Sequence, residues 1–150
     1  MPRTYTQLYY HFVFATKLRY PYVTPELQAD LYPFIGGALR NHGGTAIAMN
    51  GMPDHVHILA RLRAHPSVAE IMKSIKGSSS NWINDTQRTT EHFGWQEGYG
   101  AFTVSTSMIE EVRRYIENQQ QHHRRISLRE EMISLFKKHG VDFREDRLDF

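Results

Sequence analysis

An α+β fold is expected, with the split β-α-β-β-α-β order of ferredoxin-like domains, an antiparallel sheet and two added C-terminal helices. Three features of the 150-residue sequence predict it. Short runs rich in aromatic and β-branched residues alternate with stretches whose apolar residues recur at helical spacing. The second and third of these runs are joined by a turn with no helix-sized segment between them, which makes them an antiparallel pair. The length fits about one domain, and no repeat, linker or low-complexity tract interrupts it. Residues 1–150 are therefore expected to form a single domain, with 126–150 as a helical extension.

Each element has a local reason. Thr6–Ala15 (TQLYYHFVFA) reads as the first strand. Thr24-Pro25-Glu26 supplies an N-cap, a proline suited to the first helical turn and an early acid. Leu27, Leu31, Phe34, Ile35 and Leu39 continue that helix to near Asn41, with Pro33 and Gly36-Gly37 as candidate kinks. Thr45–Met49 is a short second strand, Asn50-Gly51 reads as the turn, and His55–Leu62 (HVHILARL) is the third strand. Pro66-Ser67 opens a second helix carrying Val68, Ile71, Met72 and Ile75, and the Gly77–Ser80 stretch predicts a bend in it. Thr86–Gly98 reads as a loop anchored by Trp95, and Tyr99–Ser105 as the fourth strand. Ser107 opens a third helix with Ile109, Val112 and Ile116 on one stripe, closed by the His-rich Gln119–Arg125. The capping box Ser127-Leu128-Arg129-Glu130 starts a fourth helix that ends near Gly140.

Composition narrows the chemistry. With 40% hydrophobic and 12% aromatic residues the chain can bury a real core. The absence of Cys excludes disulfides, thiolate ligands, iron–sulfur clusters and a Cys nucleophile, so a metal would be held by His, carboxylate, amide or water. Eighteen Lys+Arg against sixteen Asp+Glu leave a net charge of +2, which permits nucleic-acid binding without arguing strongly for it. The N-terminal stretch carries His11 and lacks the uninterrupted apolar core of a signal peptide, and nothing approaches the ~18 apolar residues of a membrane span. A cytoplasmic protein with no membrane partner is expected.

Nine histidines stand out. In a strand, His55 and His57 point to the same side about 6.5–7 Å apart along the chain, and Val56 points into the core behind them. Two such imidazoles can converge on one cation and leave coordination positions open. Asp54 reads either as an acceptor behind the pair or as a turn residue. On the third helix Tyr115 and Gln119 are one turn apart. Tyr115 reads as a packing residue beside the apolar stripe or as a nucleophile, its phenol needing help from Arg113, Arg114 or a metal-polarised phosphate. Gln119 offers a carbonyl oxygen to a hard cation, with His122 and His123 as competing ligands.

Five segments occur in order: PDHVH at 53–57, SIKGSS at 74–79, WQEGY at 95–99, FTVS at 102–105 and YIENQ at 115–119. Together they resemble the single-tyrosine HUH transposases of simple insertion sequences over roughly residues 5 to 145. The run from Asn118-Gln119 through His122-His123 to Phe150 resembles the REP-associated branch most. The resemblance implies a divalent metal, Mg²⁺ or Mn²⁺, on His55, His57 and Gln119, and Tyr115 as the nucleophile that cleaves single-stranded DNA near a hairpin. It implies a 5′-phosphotyrosine intermediate, rejoining by the reverse step without a nucleotide cofactor, and a homodimer in which the histidines of one copy meet the tyrosine helix of the other. For DNA contacts the basic and hydroxyl residues Lys73, Lys76, Ser78, Arg113, Arg114, Arg124 and Arg125 are the candidates, and Trp82, Trp95 and Tyr99 are available for base stacking. Two rival readings remain: an RNA-binding module on the same fold, using Tyr9, Tyr10 and Phe12 on an open sheet, and a metal-dependent hydrolase with water as nucleophile.

Overall fold

The computed structural model describes residues 3–150. Its strands are β1 (Leu8–Ala15), β2 (Thr45–Met52), β3 (His55–Leu62) and β4 (Gly100–Val104). The α-helices are α1 (Pro25–Asn41), α2 (Val68–Asp85), α3 (Ile109–Glu117), α4 (Gln119–His122) and α5 (Leu128–His139). The strands form one antiparallel sheet in the order β2-β3-β1-β4. This is the expected α+β architecture of a split β-α-β-β-α-β unit followed by added helices.

Strand alternation gives the sheet two different faces. On one, Phe12, Phe14, Val56, Ile58, Ala60 and Leu62 pack against α1 and α2 in the main core. Fully burying each such side chain is worth about 1.5–3 kcal/mol, which fixes the register of the two central strands. On the other face, Val13, Ala15 and Phe102 form a smaller cluster with Leu128, Met132 and Phe136 of α5 and with Phe150. His11, His55 and His57 alternate onto this second face, and all three are buried. Helices thus cover both sides of the sheet. Phe12 is fully buried beneath α1 and α2 and Tyr10 packs against the same core, so of the three aromatics expected to form an open RNA-binding platform these two are turned inward.

Several boundaries differ from the sequence reading, each for a physical reason. β2 runs on to Met52, and the turn to β3 is Pro53-Asp54 rather than Asn50-Gly51. Gly51 pairs with Val56 inside the ladder. Asn50 turns its amide onto the carbonyls of Ile116 and Glu117 at 3.1 and 3.0 Å, satisfying groups at the end of α3 that lack helical partners. α2 is continuous through Gly77–Ser80, because the hydroxyls of Ser78, Ser79 and Ser80 donate back to the carbonyls of Ser74, Lys76 and Gly77. α1 likewise passes Pro33 without interruption. The third helix, in contrast, breaks at Asn118 (φ −97°, ψ 19°), and α4 restarts at Gln119. α5 has the expected capping box at Ser127 and a left-handed Gly140 after its last turn.

A side chain at position 51 has no room, since a Cβ there would lie 2.1 Å from the His55 carbonyl oxygen. Gly51→Ala is expected to destabilise the fold by about 1–3 kcal/mol or more, read as a lower urea midpoint. An unchanged midpoint would show that the strand can yield at this point.

Candidate active site

The site is built on the second face of the sheet. His55 and His57 alternate out of β3, and His11 comes from the neighbouring β1, whose Val13 and Ala15 pair with His57 and His55. The tight turn into β3 sets Asp54 beside His55, with its carboxylate 2.8 Å from Nδ1. The helices close the site from above. Tyr115 comes from α3, Gln119 opens α4, His122 and His123 stand at the end of α4, and Glu131 projects from the first turns of α5.

Glu131 is buried at the centre, and its two oxygens have different neighbours. Oε1 lies 3.0 Å from His57 Nε2, 2.9 Å from His123 Nε2 and 3.7 Å from His55 Nε2. Oε2 accepts the Tyr115 hydroxyl and the Gln119 amide, the latter at 3.1 Å. Gln119 is fully buried, with its carbonyl oxygen 3.3 Å from His55 Nε2. Behind this layer, His11 Nε2 and His57 Nδ1 share a proton at 2.8 Å. A cavity of about 550 Å³ opens beside Tyr115, between His11, Val112, Leu135 and His139.

Burial and charge tune these groups in opposite senses. Burial holds His11 well below its ordinary value and brings His57 to about 4, so both rings are neutral near pH 7. Burial works against charge on His123 too, but its hydrogen bond to Glu131 outweighs that and raises it. Burial also opposes ionisation of Glu131, yet the hydrogen bonds from His123, His57 and Tyr115 overcome it and hold the group far below the usual carboxylate range. Burial first, and then the Glu131 charge, push the Tyr115 phenol well above its ordinary value. An anion in the centre keeps the phenol protonated unless a cation joins them.

The donor set fits such a cation. One nitrogen each of His55, His57 and His123 and one Glu131 oxygen all lie within 4.8 Å of one another. Ligand atoms about 2.1 Å from one ion stand roughly 3–4 Å apart, the same scale. His55 directs Nδ1 at the Asp54 carboxylate, which only accepts, so its proton sits there and the Nε2 lone pair faces the centre.

The structure therefore brings Tyr115, His55, His57 and Gln119 together within one chain, and adds His11, Asp54, His123 and Glu131. The DNA-contact candidates are spread more widely. Arg124 and Arg125 are exposed around a hollow that also borders Tyr115. Arg113 is paired with Glu117 and Glu110 on the outer side of α3, and Arg114 is exposed there. Lys73, Lys76 and Ser78 lie on α2, across the sheet from the site. Lys76 donates to the carbonyls of Gln96 and Gly98, both at 2.6 Å, tying down the loop before β4. Ser78 bonds back to Ser74. Trp82 stacks on Phe34, and Trp95 packs against Phe14 and Phe93. Nothing local in the sequence marks Glu131 as a site residue, since it simply follows a capping box. His11 was hidden in the same way by its apolar strand.

Residues 4–119 match the family described as Transposase IS200 like. The chain belongs to that family. The ISDra2 transposase TnpA of Deinococcus radiodurans is 28% identical over 118 residues, which span 75% of this chain and 84% of the relative. A solved transposase structure from Deinococcus radiodurans is 26% identical, with a TM-score of 0.64, covering 79% of this chain and 96% of that one. The REP-associated tyrosine transposase, solved bound to a REP hairpin, shares the fold at 17% identity and a TM-score of 0.61, over 82% of this chain and 73% of that one. This protein is thus an enzyme of the transposase class, in agreement with the resemblance carried by its motifs. The matched span stops at Gln119, so His123 and Glu131 lie beyond it. Among the described residues no helix is long and apolar enough to cross a membrane.

The lowered values of His11 and His57 set the sign of an acid response. The unfolded chain takes up protons that the folded chain refuses, so stability is lost as pH falls from about 6.5 towards 4. His123 acts in the opposite sense, its contribution fading as pH rises through its raised value, but it is one group against three, since burial and then Lys138 also lower His139. Metal-free protein should lose about 1–3 kcal/mol between pH 7.5 and pH 5 in urea titrations. Equal or greater stability at pH 5 would contradict neutral buried rings.

Proposed function

We propose that the protein cuts and rejoins single-stranded DNA near a hairpin, with Tyr115 as nucleophile and a divalent ion, Mg²⁺ or Mn²⁺, at His55 and His57. One observation carries this reading: the Tyr115 hydroxyl arrives at the same buried carboxylate that both β3 histidines face. A tyrosine that merely packs does not need its oxygen there. When bound, the ion supplies positive charge that polarises a scissile phosphate and offsets charge developing on it.

The rest is done by the chain. The phenolic oxygen attacks phosphorus as its proton leaves along the Tyr115–Glu131 hydrogen bond, and the departing 3′-oxygen takes up a proton, so Glu131 keeps none and the count balances. The bond to the 3′-oxygen breaks, giving a 5′-phosphotyrosine and a free 3′-hydroxyl. Attack by another 3′-hydroxyl reverses the step, so bond energy is conserved and no nucleotide cofactor is consumed. Asp54 holds His55 in one tautomer, and His11 backs His57.

Access favours a flexible strand. A phosphate reached by a helix-borne tyrosine from one side and by strand-borne histidines from the other requires a backbone free to bend. Arg124 and Arg125 border the hollow at Tyr115 and are placed to take flanking phosphates, while Arg114, exposed on α3, does not line it. Arg113 joins them only by exchanging its carboxylate partners. Lys73, Lys76 and Ser78 contribute only to a strand that passes around the α1–α2 side. The hairpin bound by the REP-associated transposase of the same fold supports a hairpin-bearing substrate. Because one chain holds both tyrosine and histidines, a homodimer would pair two complete sites.

Tyr115→Phe is expected to abolish cleavage and the covalent protein–DNA band on denaturing gels while DNA binding persists. Cleavage that survives would favour the hydrolase with water as nucleophile. EDTA should stop the wild-type reaction, with Mn²⁺ or Mg²⁺ restoring it, and a blunt duplex should be cut far more slowly than the hairpin-bearing single strand. Mixing Tyr115→Phe with His57→Ala protein should give no cleavage, because neither chain has a complete site. Recovered activity would instead reveal a site assembled from two copies.

A further inference from the structure

Gln119 and Glu131 both stand beside His55 and His57, and hydrogen-bond directions separate their roles. His123 gives its Nδ1 proton to the Ile126 carbonyl at 3.0 Å, as His55 gives its own to Asp54. Both partners accept only, so a neutral ring at either place has a bare lone pair on Nε2. Those two lone pairs and His57 Nε2 converge on a single oxygen, Glu131 Oε1. Lone pairs aimed at a buried carboxylate oxygen are electrostatically unfavourable unless positive charge lies between them; without an ion a proton on His123 supplies it, and a divalent ion held by the same atoms would take that proton's place. Outer partners that fix the protons on the far nitrogens are the usual surroundings of metal-bound histidines. Gln119 is held differently: its amide donates to Glu131 Oε2 at 3.1 Å, while its neutral carbonyl oxygen lies 3.3 Å from His55 Nε2 and faces neither of the other two imidazoles.

We propose that Glu131 and His123, both beyond the span that matches the family, are ligands of the same divalent ion as His55 and His57. The part of the chain beyond that span then supplies half of a four-residue cage with one carboxylate and three imidazoles. Gln119 is a positioning residue that steadies the carboxylate. Glu131 divides its two oxygens between the ion and the Tyr115 hydroxyl, which sets the nucleophile beside the phosphate that the ion would hold. This rests on the metal-dependent reading above.

The test is Mn²⁺ binding by full-length protein without DNA, followed by calorimetry. Glu131→Gln should weaken binding at least about 10–100-fold and His123→Ala should weaken it clearly, with Gln119→Ala having the smallest effect. Equal or tighter binding by Glu131→Gln would overturn the proposal, since Glu131 would then be an occupant that the ion must displace. A larger loss from Gln119→Ala than from Glu131→Gln would overturn it as well. Pulsed EPR of Mn²⁺ on the wild type gives a readout independent of variant folding: nitrogen couplings from three imidazoles are expected, and two would exclude His123. Wild-type protein that binds no Mn²⁺ and cuts DNA in EDTA would instead sink the metal reading itself. Loss of binding in His57→Ala alone would leave that reading standing and reject this one.

Discussion

A buried carboxylate is costly, and the arrangement around Glu131 follows from that cost. Removing a carboxylate from water without compensation is unfavourable by several kcal/mol, so each element near it contributes a donor. β3 brings His57, α3 brings Tyr115, α4 brings Gln119 and His123, and α5 carries the acid itself. The three helical segments after β4 are thus tied to the sheet by one charge as well as by apolar packing. Burial first, and then the same charge, keep Tyr115 protonated.

The sheet divides the molecule into a structural and a chemical half. One face, with α1 and α2, is almost wholly apolar and carries the larger core. The other pairs a small apolar cluster with the histidines, so stability and function draw on alternate residues of the same strands. Val56 between His55 and His57 is the clearest case: fully buried in the main core, it holds the two imidazoles in place from behind. Asn50 links the halves at the edge, since a β2 side chain closes the end of α3 and so places the break from which Gln119 enters the site. The sheet also explains the dispersal of the basic residues, because α2 lies across it from Tyr115.

Local chemistry in the chain determined most of the architecture. Strand alternation, caps such as Thr24 and the Ser127 box, and helical apolar spacing act over a few residues, and they placed every strand and the long helices. The same-side pair His55 and His57 follows from period two alone, whereas Tyr115 and Gln119, expected one turn apart on one helix, meet at Glu131 although the helix breaks between them at Asn118. Boundaries failed where a distant partner intervened. Asn50-Gly51 has turn composition but sits in a ladder because Asn50 finds acceptors 66 and 67 residues away. The Gly77–Ser80 stretch stays helical because its hydroxyls are satisfied within the helix. Only the tertiary structure decided that Glu131, 74 residues from His57 in sequence, is the group on which the histidines and the tyrosine meet. A carboxylate after a capping box looks like any solvated helix residue, and its meaning comes from packing α5 onto the histidine face, a long-range event that no local pattern encodes.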